Sequence, residues 1–220
     1  MRSPLTIIGI CGWAIPPVWF QNQIVSVFPS SNVKTFYPQN PADEKEAGSF
    51  FESNSADLWI GYSLGSLWLL KNADLFPSTS RMALLSPILG FTSEMAQGGK
   101  TRAVQLDYLI RSLKRRPDDL ASVFSFLNDI GIDPGMTGFG FNIKSDTLIQ
   151  GLNFLRDYSI GNQELPSFHS FLGKHDPLIE ADVLMNKIPG LKIVPDTGHH
   201  PAPLLESLAK LLPDIDKPLT

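Results

Sequence analysis

Ser63 stands in Gly61-Tyr62-Ser63-Leu64-Gly65, a G-x-S-x-G pattern. A short apolar run, Asp57-Leu58-Trp59-Ile60, precedes it, and Leu64, Leu67 and Trp68 follow at helical spacing. The serine therefore falls where a strand turns sharply into a helix, the setting of a nucleophile elbow. A serine hydroxyl is a poor nucleophile near neutral pH. It needs a base within hydrogen-bond reach, and the base needs an acid to fix its tautomer and stabilise its charged form. Two downstream loops offer these groups: Gly173-Lys174-His175-Asp176-Pro177 and Asp196-Thr197-Gly198-His199-His200-Pro201. The expected acid is Asp176 and the expected base His199. The chain order Ser, Asp, His is the one an elbow-bearing α/β sheet uses. Asp196 is a rival acid, but it lies three residues before His199 and shapes the same loop. His200 is a rival base; His199 is preferred because Gly198 would let the loop bend its ring toward Ser63. Asp176 could also be a plain Asp-Pro turn residue. His169 and His175 are given no chemistry.

The elements that must hold these residues can be read from apolar runs. Leu5 to Cys11, Val33 to Tyr37, Asp57 to Tyr62, Arg81 to Leu85, Ser167 to Leu172 and Leu191 to Val194 read as strands. Helical segments separate them: Val18 to Phe28 after Pro17, a weak one ending near Phe51, and the elbow helix. A last helix carries Leu204, Leu205, Leu208, Leu211 and Leu212. Alternating strands and helices predict a doubly wound, mostly parallel sheet. Ser63, Asp176 and His199 each lie in the first loop after a strand, where such sheets place their sites. The alternation breaks between Phe91 and Gly161. Leu106, Leu109, Ile110 and Leu113 have helical spacing; so do Leu120, Val123, Phe124 and Leu127 after Pro117-Asp118-Asp119; and Ser145-Asp146 are expected to cap a third helix with Leu148, Leu152 and Leu155. Three helices without a strand predict an inserted helical lid over 91–161, with 1–90 and 162–220 forming the core. The oxyanion of an acyl transfer needs two backbone N–H donors. One is expected from Leu64, the other from the loop Gly12-Trp13 after the first strand.

Composition narrows the classes. The chain has 220 residues, 43% of them hydrophobic and 18% charged, with a net charge of −4. That suits one globular domain and gives no case for nucleic acid. The single cysteine, Cys11, excludes an internal disulfide and reads as a buried small apolar residue. No apolar run approaches a membrane span. Leu5 to Cys11 is short for a secretory h-region, only Arg2 is basic before it, and no small-residue cleavage site follows. The expectation is a cytoplasmic monomer with no membrane contact, no metal and no organic cofactor.

Three stretches resemble the pimeloyl-[acyl-carrier protein] methyl ester carboxylesterases of biotin synthesis, which have the α/β-hydrolase fold. Gly12-Trp13-Ala14 with Val18-Trp19 is similar to their H-G-W-G…V-W segment. Gly61 to Gly65 is similar to their G-W-S-L-G elbow. Leu148-Ile149-Gln150-Gly151-Leu152-Asn153-Phe154-Leu155-Arg156-Asp157 is similar to their L-x-x-G-L-x-x-L-x-x-D, one residue shorter at its end. Cys11 stands where the family has histidine and Ala14 where it has glycine. The resemblance implies an α/β-hydrolase sheet whose first two strands are absent, a triad of Ser63, Asp176 and His199, and oxyanion donors at Trp13 and Leu64. It also implies a short dicarboxylate methyl ester substrate borne by acyl carrier protein, a strongly acidic partner. Lys100, Arg102, Arg111, Lys114, Arg115 and Arg116 fall within 17 residues that hold one acidic residue, Asp107. Arg111, Lys114, Arg115 and Arg116 are the expected carrier contacts. The alternative is a solvated helix end whose basic residues suit the dipole. A general short-chain esterase, a thioesterase or a lactonase would use the same triad, and a non-catalytic binding protein could keep the fold.

Overall fold

The computed structural model describes residues 4–76, 80–161 and 165–211. Among these residues six strands form one sheet: β1 Thr6–Ile10, β2 Asn32–Phe36, β3 Leu58–Tyr62, β4 Arg81–Leu85, β5 His169–Gly173 and β6 Lys192–Val194. Every strand pair is parallel, in the order β2-β1-β3-β4-β5-β6. The apolar runs behave as strands covered on both faces should: all five residues of β3 are buried, as are four of five in β1 and β4. The chain steps from β1 outward to β2, then returns to place β3 on β1's other side. The strand order therefore reverses between β1 and β3, and the crevice beyond their carboxyl ends is where a ligand site belongs. Ile10 pairs with Gly61 there, so the loops after β1 and β3 emerge side by side.

Helices cover both faces. α1 Pro17–Val27 opens on its proline and sets Phe20 and Ile24 over Gly9, where an added Cβ would lie 2.6 Å from Ile24 Cδ1. α2 Glu44–Ser53 is capped by the Asp43 side chain, which accepts from the Lys45 N–H at 2.9 Å. α3 Leu64–Lys71 is the elbow helix, and seven of its eight residues are buried. α2 and α3 share an aromatic cluster with the sheet; Phe51 stacks on Trp68 at 5.4 Å and Phe50 on Phe36 at 3.9 Å. α8 Pro201–Ala209 packs with α1 on the opposite face; Leu212 of the expected last helix lies outside the described residues.

Among the described residues three α-helices lie between β4 and β5: α4 Ala103–Arg115, α5 Ala121–Asp129 and α6 Ser145–Asp157. The chain leaves and re-enters the core at one place, where Gly90 bridges Ser159 and the Ile160 N–H donates to Leu89 O at 2.7 Å. The expected starts of α5 and α6 need correction. Pro117-Asp118-Asp119 forms a turn ahead of α5, with Asp119 accepting from the Ala121 N–H. Ser145 and Asp146 are the first helical residues of α6; Ser145 Oγ donates to Pro117 O, so its hydroxyl ties two segments instead of capping. A short helix the periodicity did not signal, α7 Ala181–Met185, stands between β5 and β6. Arg156 joins α6 to α4 through Asp107 at 2.9 Å. α6 reaches the core through Trp13, whose Nε1–H donates to Leu148 O at 2.9 Å. An added Cβ at Gly151 would come 2.7 Å from Trp13 Cδ1 and 3.3 Å from Leu64 Cδ1. Gly151→Val should therefore lose about 1–3 kcal/mol through overpacking, read as a lower urea midpoint at unchanged slope.

Candidate active site

The elbow forms because two close approaches exclude side chains. A Cβ at Gly65 would stand 2.2 Å from Ile10 O, and one at Gly61 would stand 2.8 Å from Gly65 O, both backbone atoms that cannot step aside. Ser63 between them takes φ 53°, ψ −116°, the first central position of a II′-type turn and one that favours glycine. Its N–H donates to Leu85 O at 2.9 Å. Ser66, unassigned by sequence reading, supports the turn: its hydroxyl donates to Ser63 O at 2.5 Å and accepts from the Ile88 N–H at 3.0 Å.

Around this serine the loops after β5 and β6 converge. Ser63 Oγ is 3.0 Å from His199 Nε2, and His199 Nδ1 is 2.7 Å from Asp176 Oδ2. All three are buried. An ionised carboxylate only accepts, so Nδ1 carries the proton and Nε2 is left to accept from the Ser63 hydroxyl. Asp176 Oδ1 accepts from the N–H groups of Leu178 at 2.9 Å and Ile179 at 3.2 Å, and Oδ2 also accepts from Ser86 Oγ at 3.0 Å. Burial pushes the Asp176 carboxyl upward, but His199, the Leu178 amide and Ser86 together outweigh it and hold the group below the usual carboxylate value. Tyr62 anchors the histidine loop, its hydroxyl donating to His199 O at 3.0 Å. Burial, with Asp176 nearby, keeps that phenol well above its ordinary value and so a donor.

The rivals sit elsewhere. His200 is the N-cap of α8, its Nδ1 accepting from the Ala202 N–H at 3.2 Å; burial, then the neighbouring His199, lowers its pKa. Asp196 is exposed in the turn after β6, at φ 51°. The bend ascribed to Gly198 has a different origin. Nothing crowds Gly198, whereas a Cβ at Gly173 would strike Gly198 O at 2.1 Å. Gly173 is what lets the histidine loop lie on the acid loop. His175 is exposed and His169 sits at the start of β5. Cys11 is fully buried, and burial pushes its thiol upward, away from reactivity.

Trp13 and Leu64 stand on the two sides expected of oxyanion donors, in the loop after β1 and at the first residue of α3. Among the described residues neither amide donates to a protein acceptor. Ala14, where the resembled family has glycine, adopts φ 60°, with its N–H donating to the Tyr37 hydroxyl at 3.2 Å.

The cleft over Ser63 is mostly apolar, lined by Trp13, Phe91, Leu106, Leu109, Phe126 and Leu152 among others, and has about 10 Å³ of free space. That is room for one water molecule. It adjoins a groove of about 820 Å³ between α4 and α5, which shares Leu106, Leu109, Phe126, Ile130 and Leu178 with it. Lys100 lines that groove and donates from Nζ to Asp176 O at 2.7 Å. Tyr108 lines both the groove and a recess of about 330 Å³ formed with Arg111, Ser112, Arg115 and Arg116. Lys114 is exposed in the last turn of the same helix. The Arg116–Asp119 pair, 3.5 Å apart and exposed, holds its partners weakly. Among the described residues no His, Cys, Asp and Glu cluster could hold a metal, and no helix is long and apolar enough to cross a membrane.

Solved structures resemble the whole described architecture. An esterase from Exiguobacterium antarcticum superposes with a TM-score of 0.74 over 99% of this chain and 94% of its own, at 16% identity. An N-acyl homoserine lactonase, AidH, gives 0.73 over 98% and 90%, at 13% identity. A thermophilic esterase from Thermogutta terrifontis gives 0.68 over 98% and 92%, at 10% identity. The fold is the α/β-hydrolase fold. No protein-family model matches the chain, and no curated protein matches its sequence. Ser63 lies in the turn after β3, Asp176 in the loop after β5 and His199 in the loop after β6, in the chain order Ser, Asp, His.

Proposed function

We propose that this protein is a serine carboxylesterase that cleaves the methyl ester of a pimeloyl chain carried on acyl carrier protein. The observation that carries the reaction class is the hydrogen-bonded chain from Ser63 Oγ through His199 to Asp176. His199 Nε2 takes the hydroxyl proton as Ser63 Oγ attacks the ester carbonyl. The amides of Trp13 and Leu64 hold the oxyanion. His199 then gives that proton to the departing methoxide oxygen, which leaves as methanol, and water enters by the same route to release the acid from Ser63. Asp176 keeps Nδ1 protonated and stabilises the imidazolium at each step. No cofactor is called for. That several solved neighbours are named as esterases or a lactonase supports ester cleavage as the class.

The substrate assignment rests on a path of changing character. An apolar cleft at Ser63 adjoins the α4–α5 groove, and the groove meets the Arg111, Arg115 and Arg116 recess at Tyr108. A methyl ester at the end of an apolar chain suits the cleft, the chain suits the groove, and an acidic carrier suits the basic helix end. With room for one water at Ser63, α4 and α5 must part at Leu106, Leu109 and Phe126 to admit the chain.

The test compares pimeloyl-carrier-protein methyl ester with a small p-nitrophenyl ester. Reversing Arg111, Arg115 and Arg116 to Glu should lower kcat/KM on the carrier-bound ester by about 10- to 100-fold and flatten its salt dependence. The small ester, which needs no carrier contact, should be cleaved as before. Equal losses on both substrates would sink the carrier reading. Cleavage of the small ester alone by the wild type would leave a general esterase, the second reading. Cleavage of neither would remove the esterase assignment and favour a binding protein.

A further inference from the structure

Ser86 is the first residue after β4, wholly buried, and belongs to no motif in the sequence. It holds φ 45°, a left-handed backbone that non-glycine residues seldom adopt. Its N–H donates to Phe171 O at 2.8 Å, fixing the residue against β5. From that position its hydroxyl reaches Asp176 Oδ2 at 3.0 Å, across 90 residues of sequence. Oδ2 is the same oxygen that accepts from His199 Nδ1. A carboxylate only accepts, so the hydroxyl hydrogen must point at the acid. Glycine would take this backbone without strain, but it lacks the hydroxyl.

We propose that Ser86 is a positioning residue for the acid–base pair: its hydroxyl fixes the rotation of the Asp176 carboxylate so that Oδ2 faces His199. The inference rests on the esterase reading and adds a fourth member to its relay. Two backbone amides hold Oδ1, and Ser86 is the side chain that holds Oδ2 together with His199. Without it the carboxylate pivots on Oδ1, and the imidazole loses its fixed orientation toward Ser63. Of the other groups against the pair, Lys100 donates to Asp176 O, Tyr62 donates to His199 O and lays its ring 5.4 Å from the imidazole, and His200 caps α8.

The experiment uses Ser86→Ala and Ser86→Gly, alone and combined with Asp176→Asn. Each single variant should lower kcat about 5- to 10-fold, the worth of one hydrogen bond, with KM unchanged. Each should also move the acid limb of the kcat/KM profile to lower pH, because a carboxylate that has pivoted on Oδ1 supports the imidazolium less well. The two variants should agree although glycine relieves the backbone and alanine does not. In the Asp176→Asn background neither should lower kcat further. An unchanged limb, or the same loss with and without Asp176, would overturn the proposal. A readout that needs no substrate separates this from failure of the esterase reading. The proton shared by His199 Nδ1 and Asp176 should give a downfield NMR resonance, and Ser86→Ala should move it upfield as the carboxylate pivots and that hydrogen bond loosens. If that resonance stays put, Ser86 does not position the pair; if it moves in a protein that cleaves no ester, the positioning stands and the reaction class falls.

Discussion

Ser63→Gly and Ser63→Ala should both lose ester cleavage, by about 10⁴-fold or more, and the glycine variant should be the more stable of the two. The activity loss follows from removing the one hydroxyl that, among the described residues, is hydrogen-bonded to His199 Nε2. The stability difference follows from the backbone. At φ 53°, ψ −116°, a residue with a Cβ costs about 1–3 kcal/mol, and alanine keeps that cost while glycine drops it. Glycine in turn gives the unfolded chain more freedom, worth about 0.4–1 kcal/mol. A net gain of about 1 kcal/mol remains, or roughly 2–4 °C in Tm for a chain of this size. Thermal melts of the two variants side by side isolate the strain, because both lack the hydroxyl and its hydrogen bond. Equal melting points would mean the elbow stores no strain at Ser63. Retained cleavage in either variant would mean another nucleophile.

Much of this site was legible because parallel sheets put loops at one edge. Each of Ser63, Asp176 and His199 follows an apolar run too short for a helix and rich enough for a buried strand, so their convergence follows from topology. Which histidine faces Ser63 was also legible, though for a different reason from the glycine before it. His200 precedes Pro201, and a proline at the first helical position makes its predecessor the N-cap. His200 is thereby committed to the helix, and His199 remains for the serine. Ser86 gave no such sign. Ser86-Pro87 reads as an ordinary turn pair, and only the pairing of β4 with β5 brings it to the acid. Gly173 was passed over likewise, since its crowding comes from a loop 25 residues on. The three intervening helices were visible from apolar spacing, but their capping was not. Ser145 resembles a cap until Pro117 O is seen to take its hydroxyl, a long-range contact that local pattern does not encode.

Asp176→Asn should lower kcat by about 10³- to 10⁴-fold while leaving KM nearly unchanged, and it should remove one source of acid sensitivity from the fold. An amide offers one oxygen, and the Leu178 and Ile179 N–H groups already claim it at the Oδ1 position. Its NH₂ is then turned toward His199 Nδ1, which must accept in place of donating. The imidazole shifts its proton to Nε2, and the Ser63 hydroxyl faces a donor where it needs a base. Ser86 can turn its hydroxyl to accept from the same NH₂, so the fold tolerates the change better than the chemistry does. The stability consequence has a definite sign. In the wild type the Asp176 carboxyl is held below its ordinary value, so its ionised form stabilises the fold at pH above that value. The contribution is lost as pH falls through the lowered value. The variant carries no such group. Urea midpoints measured from neutral pH downward should therefore fall less steeply for Asp176→Asn than for the wild type in the region below the ordinary carboxylate range. Parallel curves would show that Asp176 is not stabilised in its charged form, and with it would go the electrostatic support proposed for the His199 imidazolium.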